Sequence, residues 1–161
     1  MAVVKVARGR HRRVAEGHPW LFQGEVAEVR GEFEPGDVVT VVDSRGHFLG
    51  KGYINPRSQI LVRMLTSRDE PVDRDFFRRR LEQAWAYRKR LLPDTGACRV
   101  VFGEADFLPG LIVDKFNDIL VVQTLALGID RWLPDLVEIL EELLEPRGIY
   151  ERNDVPVREL E

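Results

Sequence analysis

The sequence predicts an α+β protein, with a small β-barrel followed by an incomplete α/β domain of strand-strand-helix-strand order. Three observations carry this reading. Short β-like runs punctuated by Gly and Pro crowd the N-terminal part, as in small barrels and sandwiches. Past Ser67–Pro71 the apolar spacing changes from a period of two to roughly 3.6. Charge divides at the same place: residues 1–68 carry 11 Lys and Arg against 7 Asp and Glu, whereas residues 69–161 carry 13 against 20. The expected domains are therefore 1–68 and 69–161, and a hydrophobic content of 44% suffices to bury a core in each.

Each element follows from local chemistry. Residues 2–7 alternate Val with Lys or Ala and predict a strand, which Arg8-Gly9-Arg10 breaks. A helical turn is expected over residues 10–16 and a second strand over 24–30. Pro19 holds His18 extended, and the apolar Trp20-Leu21-Phe22 predicts that Trp20 or Phe22 pins this turn to the core. Pro35-Gly36 suits a type II turn, and Val38–Val42 with His47–Ile54 reads as a hairpin whose Gly46 takes a left-handed conformation. Gln59–Leu65 completes the first domain as a strand buried on most of both faces.

In the second domain Asp73 is a suitable N-cap for a helix with Phe77, Leu81, Ala84, Trp85 and Arg88 on one stripe, ending before Pro93. Arg99–Glu104 and Leu111–Leu125 are expected as β segments, the latter folded about Asn117-Asp118. A helix is predicted to begin near Asp130 and to stop at Pro146, followed by a strand over Gly148–Arg152. The chain stops soon after that strand, so a truncated domain is expected.

The candidate binding site is the N-terminal basic stretch. Lys5, Arg8, Arg10, Arg12 and Arg13 fall within the first 13 residues, and no carboxylate precedes Glu16. Uncompensated cations beside a turn suit a phosphate-rich partner, and the planar guanidinium bonds phosphate in bidentate fashion and stacks on bases. Arg8, Arg10, Arg12 and Arg13 are the primary candidates for RNA contact, with Lys51 and Arg57 on nearby turns and His11 as a weaker one. A solvated basic face is the plain alternative.

The remaining chemistry is sparse. His11, His18 and His47 have no metal-ligand spacing, and no metal is expected. Glu104, Asp106 and Asp114 could act as acid–base groups or magnesium ligands, although a turn with structural carboxylates is the favoured reading. Cys98, the single cysteine, reads as a buried structural thiol and excludes an internal disulfide. The chain contains no glycine-rich dinucleotide or phosphate-loop motif and no Gly-x-Ser-x-Gly elbow, so no nucleotide cofactor is expected. Apolar runs are far shorter than the roughly 20 residues of a membrane span, and a cytoplasmic protein without membrane contact is expected.

Taken together, Gly9-Arg10-His11-Arg12-Arg13, Gly17-His18-Pro19-Trp20-Leu21-Phe22, Gly36-Asp37-Val38, Gly46–Pro56, Ser58-Gln59-Ile60 and Arg63 resemble the N-terminal PUA domain of the bacterial large-subunit ribosomal RNA cytosine methyltransferases, which make 5-methylcytosine. Gly103-Glu104-Ala105-Asp106, Leu108–Asp114 and Ile149–Asp154 resemble the central domain of that family. The resemblance implies a chain that binds and positions ribosomal RNA. It further implies that S-adenosylmethionine and the catalytic cysteine belong to a third domain beyond these residues, so that no catalytic or cofactor-binding residue transfers and the chain is not catalytic alone. Phe107 departs from the pattern, standing where the family usually has glycine. The rival expectation is a structural module that forms a homodimer through an open sheet edge.

Overall fold

The computed structural model describes residues 1–159, which divide into two compact units, 1–70 and 71–159. Among the described residues of the first unit the strands are β1 (Val3–Val6), β2 (Trp20–Phe22), β3 (Val26–Arg30), β4 (Val38–Val42), β5 (Phe48–Ile54) and β6 (Ile60–Thr66). A single helical turn, α1 (Arg12–Ala15), connects β1 to β2. The strands form one curled sheet, a half-barrel, in the order β2-β6-β5-β4-β1-β3. β1 runs parallel to β4 and antiparallel to β3, and the remaining neighbours are antiparallel.

The inward face is built by period-two alternation: Val4 and Val6 of β1 and Val39 and Val41 of β4 are fully buried, while Val3, Lys5, Val38 and Thr40 are only partly covered. Gly36 takes φ +96° in the turn before β4, as a type II turn requires. At Gly52 any side chain would run into the Arg63 carbonyl oxygen, so the β5–β6 pair closes only over glycine. In the β4–β5 turn the Asp43 carboxylate accepts the backbone N–H groups of Arg45 and His47, both at 2.9 Å, and contacts the His47 ring. The His47 N–H above all holds the Asp43 carboxyl down at about 2.

One expectation is corrected here. The His18–Phe22 segment is pinned by Leu21, which is fully buried, and not by Trp20 or Phe22, which stay partly exposed. The reason is that residues 20–22 pair with β6, Trp20 opposite Arg63 and Leu21 opposite Val62, and in a strand only the middle of three side chains can face the same core as its inward partners. Trp20 instead meets the Arg63 guanidinium, 5.6 Å from its ring centre. The expected strand over 24–30 begins at Val26, because Gln23–Glu25 form a 3-10 turn.

The second unit comprises α2 (Arg74–Leu91), β7 (Ala97–Phe102), β8 (Leu111–Phe116), β9 (Ile119–Thr124), α3 (Leu127–Asp130), α4 (Leu133–Leu144) and β10 (Gly148–Glu151). β7, β8 and β9 form an antiparallel meander, and β10 joins its far side parallel to β9, giving the order β10-β9-β8-β7. Asp73 caps α2 as expected, its Oδ1 accepting the Phe76 N–H at 2.9 Å. Phe76, Phe77, Leu81 and Ala84 are the buried face of α2, and Phe77 packs on Trp132 with ring centres 4.6 Å apart. Asn117, at φ +54°, makes the β8–β9 turn.

Two boundaries shift for backbone reasons. β7 ends at Phe102, because Gly103 enters the left-handed region at φ +49° and starts a 3-10 turn over Gly103–Asp106. The helix expected from near Asp130 begins at Leu133 as α4, with Pro134 in its first turn, where it has no preceding helical carbonyl to collide with, and a separate helical turn, α3, precedes it. α4 then buries Leu136, Ile139 and Leu140 and closes on Glu145 in the left-handed region.

Leu21→Ala is expected to destabilise the first unit by about 2–5 kcal/mol, the range for a buried Leu whose site cannot collapse, and Trp20→Ala by less. Thermal or urea denaturation of the two variants measures the order, and an equal or larger effect at Trp20 would reverse the assignment of the anchor.

Candidate nucleic-acid interface

The basic stretch is organised by one buried carboxylate. Glu25, in the 3-10 turn that leads from β2 into β3, is 8% exposed. Its Oε1 accepts from Arg13 Nη1 at 2.8 Å, and its Oε2 accepts the Phe22 N–H at 3.3 Å. Arg13 also donates through Nη2 to His18 Nε2 at 2.9 Å and lies over the Phe22 ring. Since guanidinium only donates, His18 Nε2 accepts, and Nδ1 on the other side of the ring lies 3.1 Å from both the backbone N–H and the carbonyl oxygen of Trp20. The Gly17-His18-Pro19-Trp20 turn is thus bonded through the histidine to backbone.

The same 3-10 turn draws the scattered cations together. The Ala7 N–H donates to the Glu25 carbonyl at 2.8 Å, which fixes the start of the Arg8-Gly9-Arg10 loop. On its other side Gln23 donates from Nε2 to the Pro56 and Ser58 carbonyls at 2.8 and 2.7 Å, which holds the loop that carries Arg57. Arg8, Arg10, Arg12, Arg13 and Arg57 are all exposed. Arg12 makes only an exposed pair with Glu16, four residues on, at 2.9 Å, a contact worth a few tenths of a kcal/mol. His11 precedes α1 half-buried, with its Nδ1 sheltered and without a hydrogen-bond partner among the described residues.

Lys51 departs from this group. Its ammonium donates to the Glu70 carbonyl at 2.8 Å and pairs with Asp69 at 3.2 Å, and its side chain is only 12% exposed. A long cation that is desolvated on carboxylate and carbonyl has little left to offer a phosphate. Nothing in local sequence marks this, because both partners lie some 20 residues downstream of Lys51 in the chain.

The carboxylates and thiol of the second unit are engaged structurally. Asp106 accepts both Arg88 guanidinium nitrogens at 2.9 and 2.7 Å and the Phe102 N–H at 2.7 Å. Asp114 pairs with Arg99 at 2.8 Å. These contacts raise the basicity of Arg88 and Arg99 through the hydrogen bonds they donate. Among the described residues no group of His, Cys, Asp and Glu is arranged to hold a metal. Cys98 is half-buried rather than fully buried, and desolvation pushes its thiol up, away from the thiolate a nucleophile needs.

The open depression at Gly31, Glu32, Phe33, Glu34 and Asp37 brings acidic side chains to a turn, and Asp37 Oδ2 is already occupied by the Glu34 N–H. This depression has no glycine-rich strand-to-helix turn of the kind that cradles nucleotide phosphates. No described helix is long and apolar enough to cross a membrane.

Residues 4–67, which include the whole basic stretch and the Arg57 turn, match the PUA-like domain family. The first unit is a PUA-like domain. Over nearly its whole length the chain is also similar to two curated proteins named Ribosomal RNA large subunit methyltransferase I. The one from Cronobacter sakazakii is 39% identical across 97% of this chain and 40% of its own length. The one from Tolumonas auensis is 40% identical across 98% of this chain and 41% of its own length. These matches support kinship with the large-subunit ribosomal RNA methyltransferases, and the chain spans about two fifths of the relatives' length. Among solved structures, a protein described as a SAM-dependent methyltransferase from Streptococcus mutans superposes with a TM-score of 0.81 at 14% identity, covering 95% of this chain and 41% of its own. That likeness speaks to the fold: a PUA-like domain followed by a mixed sheet with helices.

Because Arg13 caps the buried Glu25 carboxylate from the surface, Arg13→Ala is expected to cost about 1–3 kcal/mol by leaving that carboxylate short of a partner. Arg10→Ala should stay within about 0.5 kcal/mol. Chemical denaturation of both variants checks this, and equal stabilities would mean that Glu25 is satisfied without Arg13.

Proposed function

We propose that this chain binds ribosomal RNA and positions it for an S-adenosylmethionine-dependent large-subunit ribosomal RNA cytosine methyltransferase that makes 5-methylcytosine. The observation that carries the reading is the turn at Gln23–Glu25, which holds the Arg8–Arg10 loop on one side and the Arg57 loop on the other while leaving their guanidinium groups exposed. The names of the curated relatives and the PUA-like match support the choice of RNA. Arg8, Arg10 and Arg57 contact phosphate, Arg12 joins them by releasing its exposed pair with Glu16, and His11 lies beside them. Arg13 positions this surface rather than binding, and Lys51 serves the fold. Methyl transfer and the cofactor belong to portions of the relatives that this chain does not match, and the site of action is the cytoplasm, where ribosomal RNA is met.

Each phosphate contact lowers the slope of log affinity against log salt by about 0.7 for a single strand and about 0.9 for a duplex. Arg10→Ala with Arg57→Ala is therefore expected to weaken binding of a ribosomal RNA fragment and to flatten the slope by roughly 1.4–1.8. Unchanged affinity and slope in a titration at several salt concentrations would remove this surface from consideration. Calorimetric titration of the chain with S-adenosylmethionine is expected to give no binding heat, and a measurable affinity would contradict the cofactor assignment.

A second reading is favoured by the sheet of the second unit, in which the outer sides of β7 and β10 pair with no strand among the described residues. An open edge is a template for pairing with another copy. Light scattering that gives twice the monomer mass, together with absent RNA affinity, would favour a homodimeric structural module.

A further inference from the structure

The second unit is acidic in total, yet its charge is segregated. α2 carries seven Arg and Lys against two carboxylates, and α4 carries four carboxylates and no cation. The α4 carboxylates Asp135, Glu138 and Glu142 are taken up by Arg74 and Arg78 in the first turns of α2. Arg88 is consumed by Asp106. Arg79, Lys89 and Arg90 remain exposed. Lys89 lies over the Trp85 ring and Arg90 over the Tyr87 ring, and the same unit exposes apolar surface that a folded domain would ordinarily cover: Tyr87 and Leu91 on α2, Phe102 at 52% exposure and Phe107 at 64%.

The two phenylalanines are held in place. The bidentate Arg88–Asp106 pair and the Phe102 N–H on Asp106 fix the short segment between them. Phe107 adopts φ +59°, ψ +30°, a left-handed conformation that a bulky residue rarely enters. Such outliers cluster at functional sites, and here the strained residue presents a large ring to solvent. Arg80 stabilises the arrangement, donating to the Phe107 carbonyl at 3.2 Å with its guanidinium 5.4 Å from the Phe107 ring centre and 4.6 Å from that of Phe76. The Arg99 guanidinium lies 5.3 Å from the Phe102 ring centre.

Exposed rings partnered by guanidinium groups, on a unit whose longest helix also exposes Arg79, Lys89 and Arg90, are the elements of a stacking platform for unpaired nucleobases. We propose that the second unit binds a single-stranded RNA segment, with bases stacked on Phe102 and Phe107 and phosphates near Arg79, Lys89 and Arg90. This takes RNA as the ligand from the function proposed above but uses a different surface, so either can fail alone.

The test uses the full 161-residue chain and a short oligouridylate carrying photoreactive 4-thiouridine. Crosslinks are expected in the peptide that contains Phe102 and Phe107, and Phe102→Ala with Phe107→Gly should lower affinity about tenfold, the scale of losing one to two stacked bases. Phe107→Gly alone separates binding from folding. Glycine accepts the left-handed backbone, so the variant should melt no lower than the parent while binding the oligonucleotide more weakly. Crosslinks confined to residues 1–70, or an affinity insensitive to both substitutions, would overturn the proposal while leaving the PUA-like surface intact. Loss of affinity in the phenylalanine variants with none in Arg10→Ala, Arg57→Ala would uphold it and remove the other. A concentration-dependent doubling of mass that Phe107→Gly abolishes, with RNA affinity unchanged, would assign the patch to self-association and overturn it.

Discussion

The Glu25 carboxylate is the constraint on which the arrangement of the first unit depends. A buried anion must be satisfied or neutralised, and this one is met by Arg13 at 2.8 Å and by the Phe22 N–H. Meeting it requires α1 to lie against the turn between β2 and β3, which in turn sets the start of the Arg8–Arg10 loop through the Ala7–Glu25 backbone bond. The adjoining Gln23 extends the same turn to the Arg57 loop. One residue pair therefore decides where the other arginines stand.

Ion pairing sorts cations into those that build the protein and those that remain free to bind. Arg13 and Lys51 are absorbed by Glu25 and by Asp69 with the Glu70 carbonyl, whereas Arg8, Arg10 and Arg57 face solvent. The second unit repeats the division, with Arg74 and Arg78 spent on α4 and Arg79, Lys89 and Arg90 left over. Net charge per domain conceals this. Electrostatic attraction of a polyanion is governed by local potential, and exposed cations persist on α2 within an acidic total because the α4 carboxylates Asp135, Glu138 and Glu142 are taken up by Arg74 and Arg78.

Much of this was legible in the sequence, for reasons that are local. Period-two alternation marks β1 and β4, Asp73 and Pro93 bracket α2, Asn117-Asp118 marks a hairpin turn, and Gly36 and Gly46 sit where positive φ is needed. The ordered motifs from Gly9 to Arg63 also pointed to the PUA-like domain that residues 4–67 match. What was not legible depended on distant partners. The anchoring role of Leu21 over Trp20 follows from pairing with β6, some 40 residues away in the chain. The capture of Lys51 by Asp69 and of Asp106 by Arg88 likewise joins residues that no local pattern links.

The sequence by itself determined the class of fold, the position of most elements and the presence of an uncompensated arginine cluster, because periodicity, caps, turn residues and charge runs act within a few residues. Only the tertiary structure decided which of those arginines are free, which carboxylates are spent on ion pairs, and that Phe107 is a strained, exposed ring beside α2. Those outcomes depend on burial and on partners brought together by the chain's return path, and the cost of leaving a buried charge unpaired is what selects among them.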